Sequence, residues 1–199
     1  MSSRKFNRSP RSNSPEDDGP KNGTFDLGDR LRAWYAGKSP VVHFGLKFGL
    51  LMAVYYGVIL MPFFDRLLYD YLCVSARVGG ALLNLLGFNV QVLDTSIRSA
   101  DFGINVRRGC DAVEPFWVFC AGVLASPIPF ARKLPGILAG AVLIFSLNLV
   151  RIVSLYLIGL HSPGFFPTAH LEVWPTIFIL TGIVLWVGWI SWAKRISKV

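Results

Sequence analysis

Four long apolar blocks constrain this chain more than any other feature of its sequence. They cover residues 41–62, 112–130, 134–160 and 171–192. As helices, blocks of this length reach across a hydrocarbon layer of roughly 30 Å. Hydrophobic residues make up 53% of the 199 positions and charged residues only 16%, a balance that is unusual for a water-soluble chain. The sequence therefore predicts an all-α polytopic membrane protein with about four transmembrane helices.

Two further segments are predicted to lie outside the spans. Residues 65–88 mix apolar residues with charges, including Arg77 near the centre. A charge there is costly in lipid, so an amphipathic helix in the interface is favoured over the alternative of a further crossing. Residues 89–93 and 102–106 alternate and contain β-branched residues, and they predict a short extracytoplasmic β-hairpin.

Charge placement predicts the domains and the topology. Residues 1–38 are rich in Ser, Pro, Asn and charge, and they predict a disordered basic cytoplasmic tail. Residues 39–199 are the predicted membrane-embedded domain. The basic residues at 131–133 and 194–198 follow apolar blocks, as residues on the cytoplasmic side do. With both termini inside, the loops before the second and fourth blocks lie on the outer face of a bacterial inner membrane.

The net charge of +8 also bears on the choice of partner. Its basic residues are concentrated at the two termini and in one short loop, which is the distribution expected next to membrane lipid. We therefore expect contact with lipid and no nucleic-acid partner.

Three residues that are far apart in sequence are predicted to lie at one depth, near the outer face. Cys110 comes just before the second block and His170 just before the fourth. Arg151 lies 17 residues beyond Leu134, or about 26 Å along a helix that crosses about 30 Å. These three residues are the candidate site.

The setting of Cys110 differs from that of a packing cysteine, the role we assign to Cys73 and Cys120. Cys110 follows a glycine at a loop-to-helix junction, in the sequence RRGCDAVEP. Arg107 and Arg108 favour its thiolate form, whereas Asp111 and Glu114 oppose it. These opposed charges leave the net effect on its pKa open.

Arg151 and His170 supply the other groups that thiol chemistry needs. Arg151 is the only charge in its block after Leu134, and such a residue usually faces the protein interior; outward snorkelling is the alternative. His170 directly abuts a span and is favoured over His161. A Cys/His pair is typical of thiol nucleophilic catalysis, and an arginine can bind an oxyanion, a carbonyl or a carboxylate.

Two residues are predicted to support this site. Asn148 lies three residues before Arg151, on the same helical face, where the two could form a polar wall toward Cys110. Glu114 follows Cys110 and could instead hold Arg151 in a structural ion pair, as could Glu172. The chain has no HExxH, CxxC, GxSxG or P-loop sequence, so we expect neither a metal nor a cofactor.

The chain resembles the exosortase/archaeosortase family. The resemblance rests on Cys110 in RRGCDAVEP, on Asn148-Leu-Val-Arg151-Ile within an apolar block, and on His170 before the last block. It covers roughly residues 40–193. The sequence after Cys110 departs from the Cys-Ser-Gly form common in the family and is similar to the short subtype called exosortase H.

The resemblance implies a membrane cysteine transpeptidase or protease, with residues 39–199 as its catalytic domain. Its partners would be secreted proteins that end in a short motif, a transmembrane helix and a basic tail. Cys110 would form a thioester with the substrate, His170 would transfer the proton, and Arg151 would stabilise the oxyanion or position the substrate. A thiol hydrolase without transpeptidation and a non-catalytic membrane assembly or transport subunit remain alternatives.

Overall fold

The computed structural model describes Gly37 and residues 39–195. The predicted cytoplasmic tail therefore lies outside the described residues, apart from Gly37. The helices and strands, in chain order, are α1 (Pro40–Ile59), α2 (Pro62–Leu85), β1 (Gln91–Leu93), β2 (Ser96–Arg98), β3 (Gly103–Asn105), α3 (Val113–Ala125), α4 (Phe130–His161) and α5 (Trp174–Arg195). Residues 163–173 form short 3-10, α and π turns that run directly into α5.

The helical membrane fold predicted from the apolar blocks is confirmed. By length and composition, three helical segments among the described residues can cross a membrane: α1, α4 and the continuous segment Pro163–Arg195. The second predicted block is a shorter apolar helix, α3, of 13 residues. Pro127 accounts for its length, because the residue before a proline is pushed into an extended conformation. Ser126 accordingly has ψ 142° and α3 ends at Ala125.

The short helix α3 lies at the centre of the bundle and packs against α1, α4 and α5. Its buried residues are mostly small, among them Ala121 and Gly122, and small residues let neighbouring helices approach closely. The facing helix α4 also has a small residue at the contact, Gly140, where a Cβ atom would lie 2.1 Å from the ring of Phe119. The position of α3 is thus set by close packing on three sides.

The predicted amphipathic helix is α2, which begins at Pro62 and is not among the three candidate spans. One face of it is buried, with Leu68, Leu72 and Ala76 at helical spacing. This face packs against α4 and the strands. At Gly79, on the same face, a Cβ atom would lie 2.9 Å from Ile152 of α4, so the glycine permits the close approach.

The three strands form one small antiparallel sheet in the order β1-β2-β3. The two segments predicted to form a hairpin do not pair with each other, because each pairs with β2 between them. The sequence of β2 is short and carries a single apolar residue, Ile97, which gives little strand signal. That residue is completely buried, so burial against the helices stabilises a strand that the local pattern does not reveal.

Helix α4 separates two hydrophobic cores. On one side Ile144 and Leu155 pack with residues of α3 and α5. On the other side Ile152 and Tyr156 pack with residues of α2 and the strands. The loop between β3 and α3 passes from the second core to the first, and Cys110 lies on this loop. Cys110 is therefore held where the two cores meet.

Candidate active site

Cys110 lies in a tight turn that leads into α3. Its main-chain N–H donates to the carbonyl of Arg107 at 2.9 Å. Gly109 has φ +90° and Ala112 has φ +58°, so the chain adopts a left-handed conformation on both sides of the cysteine. For a non-glycine residue such as Ala112 this conformation costs on the order of 1 kcal/mol or more, and such strain is frequent at functional sites.

The side chain of Asp111 stabilises this turn. Asp111 is 5% exposed, and its carboxylate accepts hydrogen bonds from the N–H groups of Gly109 at 3.1 Å and Val113 at 2.9 Å. The carboxylate also lies at the N-terminus of α3, where the helix dipole favours a negative charge. The main-chain carbonyl of Asp111 accepts a hydrogen bond from the hydroxyl of Tyr71 at 2.7 Å. Both neighbours of Cys110 are therefore fixed by hydrogen bonds.

Cys110 and His170, which are 60 residues apart, meet in the structure. The Sγ atom of Cys110 lies 3.6 Å from both Nδ1 and Nε2 of His170. The imidazole lies in the π-helical turn Ala169–Val173 and is stacked on Phe166, with ring centroids 5.8 Å apart. Isolated π turns inside helices are often found at functional sites. The tautomer of the imidazole determines which nitrogen is the donor and which the acceptor.

The surroundings of Cys110 determine the form of its sulfur. Burial raises the pKa of the Cys110 thiol above its ordinary value, and the Asp111 carboxylate adds to the rise, while the Arg151 guanidinium and the bond to Arg107 lower it. The net direction, left open by the sequence, is upward. Near neutral pH the resting sulfur is a thiol, so a nucleophilic thiolate requires a base such as His170.

Arg151 connects the two chain segments that carry Cys110 and His170. It is 5% exposed, and its two terminal nitrogens donate to the main-chain carbonyls of Gly109 at 3.3 Å and His170 at 3.4 Å. Its carbon Cζ lies 5.6 Å from the ring centroid of Phe178, over the ring face. Among the described residues Arg151 forms no ion pair with a carboxylate. The guanidinium therefore holds the thiol and the imidazole segments together.

The two predicted supporting residues bond to tyrosines rather than to Arg151. Asn148 is buried and donates to the hydroxyl of Tyr71 at 3.4 Å, so it reaches the Cys110 turn through that tyrosine. Glu114 accepts a hydrogen bond from the hydroxyl of Tyr56 at 2.7 Å. Asn148 and Arg151 share the buried face of α4, and among the described residues Glu114 forms no ion pair with Arg151.

The remaining candidates are separated from the site. His161 is exposed at the end of α4, where its Nδ1 lies 3.0 Å from the carbonyl oxygen of Leu157 in the same helix. Cys120 is buried in the core around α3. Tyr71 was missed by the sequence reasoning, although a tyrosine on the buried face of an amphipathic helix was a usable signal, because a buried hydroxyl needs a partner.

An apolar cleft of about 830 Å³, lined by Gly109, Asp111 and Arg151 but not by Cys110 or His170 themselves, begins beside this site and runs along the bundle. Its walls are α1 and α5, its floor is α3, and Phe64 and Leu68 of α2 also line it. Gly109, Asp111 and Arg151 line the end of the cleft next to Cys110, together with Arg108 and Glu114. The cleft therefore connects the surface between the helices with the residues that surround the thiol.

The fold and this site define a helical membrane protein with a thiol–imidazole pair and a buried guanidinium at one end of its bundle. The chain belongs to the transmembrane exosortase family, because the sequence model of that family matches residues 31–186. Membership supports a transpeptidase role in general terms. Comparisons with curated proteins and with solved structures gave no match.

Proposed function

We propose that this protein is a membrane cysteine transpeptidase that cleaves the C-terminal sorting signals of secreted proteins. The observation that carries the proposal is the 3.6 Å approach of the Cys110 sulfur to His170, with a buried Arg151 bound to the main chain on both sides. Family membership supports the same class of reaction. The contacts of Arg151 with carbonyls, rather than with a carboxylate, argue against the structural ion pair of a non-catalytic subunit.

In the proposed reaction His170 takes the proton of the Cys110 thiol as the sulfur attacks the scissile carbonyl carbon. The C–N bond then breaks, and the leaving amine takes that proton from the imidazole. The acyl group remains on the sulfur as a thioester. The nucleophile of an acceptor attacks the thioester carbonyl, gives its proton to His170, and releases the sulfur, which recovers its proton from the imidazole.

Arg151 is proposed to stabilise the negative oxygen that forms when the sulfur adds to the carbonyl. A planar guanidinium carries five N–H donors, and the two main-chain carbonyls occupy only part of them. Arg151 also lines the cleft beside the thiol, where a substrate carbonyl would lie. A donor that is already fixed in place stabilises the transition state without reorganisation.

The proposed function predicts a change in the C-termini of secreted proteins. In cells that carry this gene, proteins ending in a short motif, an apolar helix and a basic tail are expected to lose the helix and the tail. After deletion of the gene they should retain both, and a plasmid copy should restore the loss. Mass spectrometry of C-terminal peptides measures this directly. If no protein changed its C-terminus on deletion, the proposed function would be wrong.

The active site is proposed to face the outside of a bacterial inner membrane. Basic residues near the opposite end of the bundle, Arg132 and Lys133 at the start of α4 and Lys194 at the end of α5, suit the cytoplasmic side. The 13 residues of α3 span about 20 Å. Residues 126–129 then follow a bent path, in which the Ile128 N–H bonds to the Ser126 carbonyl at 2.8 Å, to the start of α4 and its basic residues.

This topology predicts the behaviour of reporter fusions. Fusions after residues 95, 132 and 199 should report outside, inside and inside, respectively. At each of the three positions, two reporters are fused separately: a phosphatase that is active only outside the membrane and a fluorescent protein that folds only inside. The two signals should be opposite at every position, so each reporter is a control for the other. A cytoplasmic signal at residue 95 would place Cys110 on the wrong side of the membrane and contradict the proposed localisation.

A further inference from the structure

The cleft beside the active site has the form of a trough that follows the helix direction. On α1 its lining residues are Phe44, Phe48, Tyr55 and Ile59, which recur on one helical face. On α5, Ile179, Gly182 and Ile183 do the same. Phe44 and Trp186 touch across the far end, with ring centroids 5.9 Å apart. The open side of the trough faces the surroundings of the bundle, because Ile179 is 64% and Ile183 54% exposed.

The length of the trough limits what can fill it. Its lining residues on α1 extend from Phe44 to Ile59, which is about 22 Å of helix, and those on α5 extend from Pro175 to Trp186, which is about 17 Å. One leaflet of a bilayer contributes only about 15 Å of hydrocarbon, half of the roughly 30 Å core. A lipid of the leaflet next to the active site would therefore leave the far part empty, whereas a transmembrane helix would follow the trough past the midplane.

The wall formed by α5 also suits a helix. At Gly182 an added Cβ atom would meet nothing within 4 Å, so the backbone of α5 is open to the trough. Exposed backbone of this kind lets a second helix approach closely, which is the main source of helix association in lipid. The charged lining residues, by contrast, all lie at the Cys110 end. Along most of the trough, a bound segment would therefore be selected by its shape. Its amino-acid sequence would matter only at the active-site end, where the charged residues lie.

We infer that this trough is the docking site for the transmembrane helix of the sorting signal, which would enter sideways from the lipid between α1 and α5. This inference rests on the proposed function, because it places the segment that follows the scissile bond. A helix in the trough would have its outer end beside Gly109 and Arg151, which flank the Cys110 sulfur. Because docking would depend on shape, a synthetic apolar helix without a sorting motif should also bind in the trough.

The test is disulfide cross-linking in vesicles of phosphatidylethanolamine and phosphatidylglycerol. The probe is a synthetic helix of 20 alternating Leu and Ala residues with a central cysteine, a polar N-terminal extension and four C-terminal lysines. The protein is the full chain with Cys73→Ser, Cys110→Ala and Cys120→Ala. A single cysteine is then introduced as Ile183→Cys, in the trough, or as Val184→Cys, at nearly the same depth, exposed and outside the trough.

We expect the cross-link yield at Ile183→Cys to exceed that at Val184→Cys about fivefold, as a modest helix–helix preference gives. Adding Gly182→Trp, which fills the trough, should remove this excess. Adding Gly188→Trp should preserve it, because Gly188 is exposed on α5 and does not line the trough. Equal yields at the two positions would overturn the inference. A photoactivatable phosphatidylethanolamine tests the lipid alternative. The inference would also be overturned if this lipid labelled Ile183 more strongly than Val184 and the peptide did not reduce the labelling.

The failure of this inference can be told apart from failure of the proposed function. The cross-linking protein lacks Cys110 and cannot cleave, so its result reports docking alone. Equal yields combined with gene-dependent loss of C-terminal helices would overturn the docking site and leave the transpeptidase. Excess yield at Ile183→Cys without any such loss would support the docking site and overturn the transpeptidase.

Discussion

Replacing Cys110 with alanine is expected to abolish cleavage of a co-expressed sorting-signal protein while the variant stays in the membrane. The loss should be at least about 10³-fold, since a missing nucleophile leaves only the contribution of binding and polarisation. Cys110→Ser should be similarly inactive, because a serine hydroxyl is far less acidic than a thiol and the site is built around a sulfur contact with His170. The fraction of substrate cleaved per folded enzyme is the measurement.

The two other cysteines supply matched controls for this prediction. Cys120 is buried in the core around α3 and Cys73 lies on α2. Cys73→Ala and Cys120→Ala should therefore retain cleavage, apart from a modest effect on stability from the lost sulfur. Cleavage at the normal rate by Cys110→Ala would remove the enzyme proposal altogether.

Arg151→Lys is expected to lower cleavage by about 10²–10³-fold, the usual effect of losing one donor to an oxyanion. The structure gives the reason that a conservative change should be so costly. The guanidinium reaches the carbonyls of Gly109 and His170 with separate nitrogens, whereas an ammonium is a single point that lacks the planar fork. Charge is retained, so the variant should still fold into the membrane, with a modest decrease in the temperature of unfolding from the lost carbonyl contacts.

A matched control for this substitution exists at the other end of the bundle. Arg132 also donates to a main-chain carbonyl, that of Ala193, and Arg132→Lys should leave cleavage nearly unchanged. Near-wild-type cleavage by Arg151→Lys would remove Arg151 from the proposed catalytic set and leave the Cys/His pair. Arg151→Ala and Glu114→Gln should have additive effects on stability, because Glu114 bonds to Tyr56 instead; coupling between them would indicate a structural pair.

Several parts of the fold follow from local sequence alone. The apolar blocks predicted the membrane class, and the charges of residues 65–88 predicted an amphipathic helix that is not a candidate span. Two details of the structure differ from the prediction, one for a local reason and one for a non-local reason. The block at 112–130 includes Pro127, whose effect on Ser126 shortens α3. The strand β2 was missed because its only apolar residue, Ile97, is stabilised by distant helices.

That Cys110, Arg151 and His170 lie near one another could be predicted, because the prediction depends only on helix rise and membrane thickness. The direction of each side chain could not, because it depends on how the helices are rotated against one another. Packing of α3 on three helices, the left-handed turn at Ala112 and the π turn at Ala169–Val173 settle that rotation. They bring His170 rather than His161 to the sulfur and direct Arg151 at two carbonyls.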